Sequence, residues 1–349
     1  MTTSTASNDV APAAVEPPRS RRRLSPAWIG VVVAAAVLGL GLLVPYIVSD
    51  TYTMGLALDA VLLSMLALGI GFLARHLGLI SLGHTAFFGG AAYMVGIATV
   101  HWGWGPTEAV LAAVVAGALL SVVMGVLVVR ASGMGFLMLT LALSQALYQL
   151  TVQTSARPIT GAFDGLQVTY DADKTFLGLP QSDVMNAGLF WPFAWGALVI
   201  AALVLWLVGR SRFGTLLEGI RENEERMRFS GYDTFRPRLI AFVLSGTVAA
   251  LGGALFAINA SYVSPEVLGF LKAGDSLIAT IVGGLGTLLG PVVGASLYVY
   301  AQANFNTGGN LHLYTGIALI LVLVFLPGGL TGGIQKLWRR VRSRKDGSA

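Results

Sequence analysis

The sequence predicts an all-α integral membrane protein, a polytopic helical bundle of about ten transmembrane helices with one or two broken or re-entrant segments. Three observations carry that expectation. Of 349 residues, 55% are apolar and 11% are charged, where a soluble domain carries roughly 25% charged residues. The chain therefore lacks the polar atoms to cover a water-facing surface. Apolar stretches near the length of about 20 residues that a spanning helix needs recur along it. The basic residues between those stretches collect on one side when each stretch is allowed one crossing.

Residues 1–26 read as a disordered, basic cytoplasmic tail: 1–18 are polar and rich in Ala and Pro, and Arg19, Arg21, Arg22 and Arg23 follow. The apolar run 28–48 is longer than the roughly 7–15 residues of a signal-peptide core and has no small-residue cleavage site after it, so it is read as the first span. Further spans are predicted at 54–74, 80–100, 107–129, 134–153, 187–208, 239–260, 268–285, 287–304 and 311–327. Gly89-Gly90 interrupts one of them, and Gly283, Gly284 and Gly286 interrupt the 268–304 region, so either region is a candidate for a broken or re-entrant helix. Ten spans are expected, or eight if both regions are re-entrant.

With the N-terminus inside, 19 of the 22 basic residues fall on the cytoplasmic side, and only Arg157, Lys174 and Lys272 fall outside. An odd number of spans would strand the basic tail at 334–349 on the wrong face. Both termini are therefore expected in the cytoplasm, with residues 27–333 forming the membrane domain. The net charge of +5 is thus read as a topological signal, and no nucleic-acid partner is implied. Cysteine is absent, which excludes disulfides, thiolate metal sites and cysteine nucleophiles. The 44 glycines suit close helix packing in lipid.

Two polar excursions interrupt the spans. The outside loop 155–186 carries Asp164, Asp171, Asp173 and Asp183. The inside loop 209–238 holds 12 of the 39 Asp, Glu, Lys and Arg residues. Within it, 213–230 reads as one short amphipathic helix: Leu216, Ile220 and Met227 share a face with Leu217 beside them, and Glu218, Arg221, Glu222, Glu224, Glu225 and Arg228 fill the rest. Gly231 suits the C-terminal stop, and Pro237 blocks continuation into the next span. Such a helix either lies on lipid headgroups or docks into a protein groove. Its mixed charge and small apolar face favour the groove.

The segment 214–231, GTLLEGIRENEERMRFSG, resembles the coupling-helix segment of permease subunits of branched-chain amino-acid ABC importers, the LivM-like family, with its G-x-x-x-x-A-I-R-[DE]-[DN]-E pattern and terminal glycine. The stretches GLISLGHTAFFGGAAY (78–93), TGAFDGL (160–166), YVSPE with IVGGLGTLLGPVVG (within 259–294) and, loosely, FLPGGLTGG (325–333) are similar to further family motifs, in order and at compatible spacing. The sequence departs from the family at Arg226 and Met227, where small residues are usual, at Ala162, which replaces the second glycine of T-G-G, and before Pro327, which lacks the usual arginine.

The resemblance implies a permease of the bacterial inner membrane that translocates branched-chain or related amino acids. Its implied partners are two ATP-binding-cassette ATPase subunits, a second homologous permease and an extracytoplasmic substrate-binding protein. It also implies that Glu218, Arg221, Glu222, Glu224 and Gly231 couple the spans to the ATPases. The residues agree on one point: the chain has no G-x-x-x-x-G-K-[ST] and no Gly-Lys pair at all, so it holds no P-loop of its own. No catalytic residue, cofactor or metal site is expected, since His76, His84, His101 and His312 have no metal-ligand spacing.

Polar groups within spans are the candidate path, because a mid-membrane charge costs at least about 2.5–3.5 kcal/mol and normally faces the bundle interior. Asp59 and Asp275 lie shallowly, near outer ends, and either snorkel to water or line the path. Ser81, His84 and Thr85 form a polar cluster that is either packed and satisfied or in contact with substrate. Gln145 either bonds across helices or lines the path. Gly283 and Gly284 either allow close packing or break a helix so that free amides meet a carboxylate. An importer for urea or a short amide is the alternative within transport. An ion-coupled secondary transporter is the alternative class, and it would need deep carboxylates and no docking helix.

Overall fold

The computed structural model describes residues 26–48, 50–171, 173–305, 313–314, 316–317 and 329–333. The expectations for the tails 1–25 and 334–349 and for most of the span 311–327 lie outside the described residues. Helices α1 (Pro26–Leu42) and α2 (Val44–Ile47) together form the first apolar rod. Then come α3 (Thr51–Leu77), α4 (His84–Val100), α5 (Pro106–Val128) and α6 (Gly133–Val152). The short helices α7 (Arg157–Thr160) and α8 (Gln181–Val184) organise the following loop, and α9 (Ala187–Arg210) closes it. The charged loop forms α10 (Arg212–Glu222) and α11 (Glu224–Phe229), followed by α12 (Phe235–Ala260), α13 (Phe270–Gly283) and α14 (Gly290–Phe305).

Six helical stretches among the described residues are long and apolar enough to cross a bilayer: 30–47, α3, α5, α6, α9 and α12. The protein is thus a polytopic helical membrane protein. The interrupted regions are the ones that differ from simple spans. In the expected span 80–100 the break does not fall at Gly89-Gly90: α4 runs unbroken through both glycines, and the irregular backbone lies ahead of His84, at 78–83. The expected spans 268–285 and 287–304 are helices of 14 and 16 residues, or about 21 and 24 Å at 1.5 Å per residue, short of a 30 Å hydrocarbon core.

Burial ranks the helices. In the most apolar window of α3, 83% of residues are buried inside the protein, against 6% for 30–47, so α3 is the axis of the bundle and α1 its rim. Around α3 the aromatic rings of Phe87, Phe136 and Phe242 meet edge to face, with centroids 5.4 to 5.9 Å apart, the geometry that ring quadrupoles favour. Glycine permits the closest crossing: a Cβ on Gly253 would stand 1.9 Å from Phe88 O, so α12 and α4 touch backbone to backbone. At the rim, Trp191 donates its indole N–H to Gly41 O (2.8 Å) and stacks on Trp195, which fastens α9 to α1.

α13 and α14 form a hairpin leaning on α3. Thr280 Oγ1 lies 3.5 Å from Ala67 O, Ser64 Oγ lies 3.5 Å from Val292 O, and the Pro291 ring fills the space beside Gly71. α13 therefore runs parallel to α3 and α14 antiparallel to it. The hairpin turn sits near Gly71, and both free ends lie toward Thr51. Residues 329–333 lie at the turn, where Thr331 Oγ1 donates to Gly283 O and pairs with Thr287 Oγ1, each at 2.7 Å.

The loop 155–186 is folded down on the helix ends. Strand β1 (Leu166–Gln167) pairs antiparallel with β2 (Tyr262–Val263), Leu166 opposite Val263. His101 Nε2 meets Ile159 O (3.0 Å), Lys174 Nζ reaches Gly103 O (2.8 Å) and Asn259 donates to Val184 O (2.8 Å). The stretches TGAFDGL and YVSPE, about a hundred residues apart in sequence, thus meet in one two-stranded staple.

Candidate functional site

The charged loop is two helices rather than the single helix expected over 213–230. Asn223 is extended (φ −160°, ψ 97°) and its side chain accepts from Arg226 N (2.8 Å), so it ends α10 and caps α11. Ser211 begins α10 in the same way, accepting from Gly214 N at 3.4 Å. α11 stops at Phe229, and Gly231 takes the left-handed conformation (φ +84°) just beyond it. Pro237 falls in the first turn of α12, where its missing N–H costs nothing, so it helps start that helix instead of delaying it.

α10 is seated on the bundle. Leu217 and Ile220 are buried, and a Cβ on Gly214 would collide with Gly209 O at 2.1 Å, so only glycine allows this approach to the end of α9. Glu218 Oε1 lies 3.5 Å from His76 Nδ1 on α3. Arg221 donates to Arg75 O, one of the free carbonyls at the carboxyl end of α3, where a cation is favoured by the helix dipole. Met227 packs over Gly219, its sulfur 3.3 Å from where a Cβ would stand. Glycine occupies the alanine position of the family pattern there, so the larger Met227 has a matching space.

Glu224 is a hub. Its carboxylate receives both oxygens' worth of bonds from Arg238 Nη1 (2.8 and 2.9 Å), one from Arg228 (2.7 Å) and one from Thr234 Oγ1 (3.1 Å). Arg238 is 3% exposed and also donates to Ala131 O (2.7 Å), in the turn between α5 and α6. Burial alone would raise the carboxyl of Glu224, but Arg238, Thr234 and Arg228 outweigh it and hold the pKa below its ordinary value. One carboxylate thus joins α11, the start of α12 and the α5–α6 turn. Glu222, Glu225 and Arg226 remain exposed, and so do two aromatics that periodicity did not single out: Phe229 (89%) and Tyr232 (54%). Phe229 falls off the apolar face of its helix, which was the available signal.

Inside the bundle, Ser81, His84 and Thr85 come together as a fully buried cluster. Leu82 N donates to Thr140 Oγ1 (3.3 Å), Gly83 N to Ser81 Oγ (3.2 Å), Thr85 Oγ1 pairs with Ser144 Oγ (3.0 Å), and His84 Nε2 with Ser245 Oγ (3.1 Å). The residues before α4 are therefore irregular backbone inside the bundle, satisfied by side chains of α6 and by their own. His84 stands beside Gly69, eight residues from the end of α3, about 12 Å along that helix. Gln145 is separate, half-buried on α6, and its Nε2 has no partner among the described residues. Asp275 lies on α13. Gly283 is the last residue of α13, so that end offers carbonyls rather than amides, and a Cβ there would stand 1.9 Å from Gly290 O. Gly284 (φ +114°) turns the chain.

Two cavities open between helices. One of about 420 Å³ lies between α3, α9 and α14, with Tyr52, Ser64, Trp191 and Asn304 among its walls. One of about 360 Å³ is a bowl lined by Tyr148, Phe163, Tyr262, Ser264, Pro265 and Glu266, beside the β1–β2 staple.

A bundle of buried and rim helices, with one charged loop clamped to it and polar groups in its interior, defines a membrane permease. Residues 52–326 match the family described as branched-chain amino acid transport system / permease component, and the chain belongs to that family. It is 25% identical over 316 residues to the high-affinity branched-chain amino acid transport system permease protein LivM of Escherichia coli (strain K12), covering 84% of this chain and 73% of the relative. It is 29% identical over 194 residues to the autoinducer 2 import system permease protein LsrC of Salmonella paratyphi B, covering 52% of this chain and 56% of that one. No solved structure matches the chain.

Proposed function

We propose that this chain is the transmembrane permease subunit of an ATP-binding-cassette importer for branched-chain or related amino acids, delivered by an extracytoplasmic binding protein. ATP is hydrolysed on two separate subunits, and a second homologous permease completes the path. The observation that carries the reading is the clamp on α10–α11. Arg221 on the end of α3 and Glu224 on Arg238 make the loop rigid with the bundle, while Phe229, Tyr232, Glu222, Glu225 and Arg226 face outward. An exposed aromatic ringed by mixed charge suits a protein groove better than a lipid surface.

In this reading the charged loop is cytoplasmic, both termini lie inside, and the 155–186 loop with its aromatic bowl faces the binding protein. Closure of the ATPases pushes the loop as one body. Arg221 carries the push to α3, and the Glu224 hub carries it to α12 and the α5–α6 turn. Glu218 and Glu222 flank the contact and Gly231 ends it. The interior cluster Ser81, His84 and Thr85, with Gln145, lines the way through. The likeness to LsrC supports a second reading, an importer for another small polar solute.

Replacing Glu224 and Arg221 together, in the assembled transporter, is expected to leave ATP hydrolysis running while uptake falls at least tenfold. Uptake at the wild-type rate would refute the coupling role.

A further inference from the structure

Packing does not account for the bowl beside the β1–β2 staple. Its wall holds three aromatic side chains, Tyr148, Phe163 and Tyr262, with Ser264, Pro265 and Glu266, around about 360 Å³. Several of these parts are held in place from outside it. Tyr262 stands on β2 and donates its hydroxyl to Asp164 O (2.8 Å), which occupies the polar end of the side chain and leaves its ring as surface. Pro265 and Glu266 belong to the single turn Pro265–Leu268, whose Val267 and Leu268 fill the space beside Gly89 of α4. Tyr148 stands one turn before the end of α6. Phe163 and Tyr262 are exposed despite their size.

The carboxylate of Glu266 is exposed and has no hydrogen bond or ion pair among the described residues. No lysine or arginine among them lines the bowl. The two cations of the 155–186 loop are already taken: Arg157 closes on Asp164 (2.9 Å) and Lys174 on Asp171 (2.6 Å). Asp173, Asp183 and Glu266 have no matching cation in these segments, so this face carries a negative surplus.

Aromatic rings are negative over their faces and attract cations, and one carboxylate on the same wall adds to that field. An anion is repelled there. An apolar group would strip water from Glu266 and give nothing back. A free amino acid brings a carboxylate of its own, for which the bowl holds no cation. A basic side chain presented by a protein brings only the positive head and an apolar stem. We propose that the bowl is the socket for a lysine or arginine side chain of the extracytoplasmic binding protein. This deepens the importer reading above and rests on it. The head pairs with Glu266, with the Ser264 hydroxyl as a second acceptor, and the stem lies against the rings. The surplus carboxylates around the socket steer the partner toward it.

The first test takes the full-length chain in lipid nanodiscs and reads NMR saturation transfer to Nα-acetyl-lysine methylamide. The norleucine counterpart is the uncharged control, and leucine and phosphoethanolamine stand for a free amino acid and a lipid headgroup. Transfer to the lysine probe is expected to exceed the other three about fivefold or more. It is expected to fall to the norleucine level in Glu266→Gln and in Phe163→Ala, to survive in Glu266→Asp, and to do so at unchanged melting temperature. Equal or stronger transfer to leucine or phosphoethanolamine, or transfer to the lysine probe that ignores Glu266→Gln, overturns the socket. The second test takes the assembled transporter with the binding protein that supports its uptake. Glu266→Lys is expected to raise the half-saturating concentration of binding protein about tenfold or more. Changing one lysine or arginine of the binding protein to glutamate is expected to restore it. Unchanged half-saturation overturns the socket and leaves the importer standing. Uptake that needs no binding protein overturns the function as well.

Discussion

Glu224 and Ala162 show what single residues contribute. Glu224→Ala leaves Arg238 buried without its counter-ion, and breaking a buried pair from one side costs about 3 kcal/mol. Thermal unfolding of the purified chain should register that loss, whereas Glu222→Ala, on the exposed face, should change little. The pH dependence has a definite sign. The folded pKa of Glu224 lies below its unfolded value, so the hub's stabilisation is complete above the ordinary glutamate range and is lost as pH falls through the lowered value. Protease protection of the 209–238 loop is therefore expected to hold from pH 8 to 5 and fail in stronger acid, and Glu224→Gln should remove that acid step. Ala162 sits at φ +51°, a left-handed conformation that costs an L-residue roughly 1 kcal/mol. Ala162→Gly, which restores the glycine of the family motif, is expected to raise stability by about that amount in the same melting assay. The sequence marked Glu224 as a charged loop residue and Ala162 as a departure. The buried partner of Glu224, Arg238, lies fourteen residues ahead and is itself held by Ala131 O in a distant turn, and no local periodicity encodes that pairing.

Among the elements, the α13–α14 hairpin depends most on one atom's absence. Gly283 and Gly294 bring the two backbones together, with Cβ positions 1.9 Å from Gly290 O and Ala279 O. Because the obstructing atoms are backbone, Gly283→Ala must spread the hairpin. It is expected to lower the melting temperature clearly and reduce recovery of folded protein, while Gly286→Ala, which meets nothing within 4 Å, should be neutral. The glycines that interrupt 268–304 were legible as a break, and the break is there. What pattern alone left open was the choice between packing and free amides, because that turns on which end of a helix the glycine occupies. In the charged loop, the apolar spacing predicted helix correctly, but Asn223 acts as a cap only because its own backbone is extended. Periodicity, blind to backbone angles, ran α10 and α11 together.

For the whole molecule, composition was enough to read a helical membrane protein, and helices long enough to cross a bilayer fall where apolar runs predicted them. Parity of the topology is insensitive to the hairpin: counting α13 and α14 as two crossings or as none leaves the expected placement of the termini unchanged. The charge rule therefore gives one answer for either count. The chain has no native cysteine, so a single introduced one reports position cleanly. Phe229→Cys is expected to resist a membrane-impermeant maleimide in intact cells and react after lysis, and Phe163→Cys, 72% exposed in the other loop, should react in intact cells. Labelling in the reverse order would invert the proposed orientation. The interior cluster was legible as polar letters in an apolar run, but the depth of His84 depends on the unwound entry to α4, a property of packing against α6 and α12 rather than of local sequence.

The β1–β2 staple has a mechanical consequence. It fixes Leu166 to Val263, and seven residues after Val263 α13 begins. A load placed on the long loop by anything that grips it is handed directly to the root of the wedge formed by α13 and α14. That route bypasses the rim helix α1, so the long loop and the α13–α14 hairpin share a single lever.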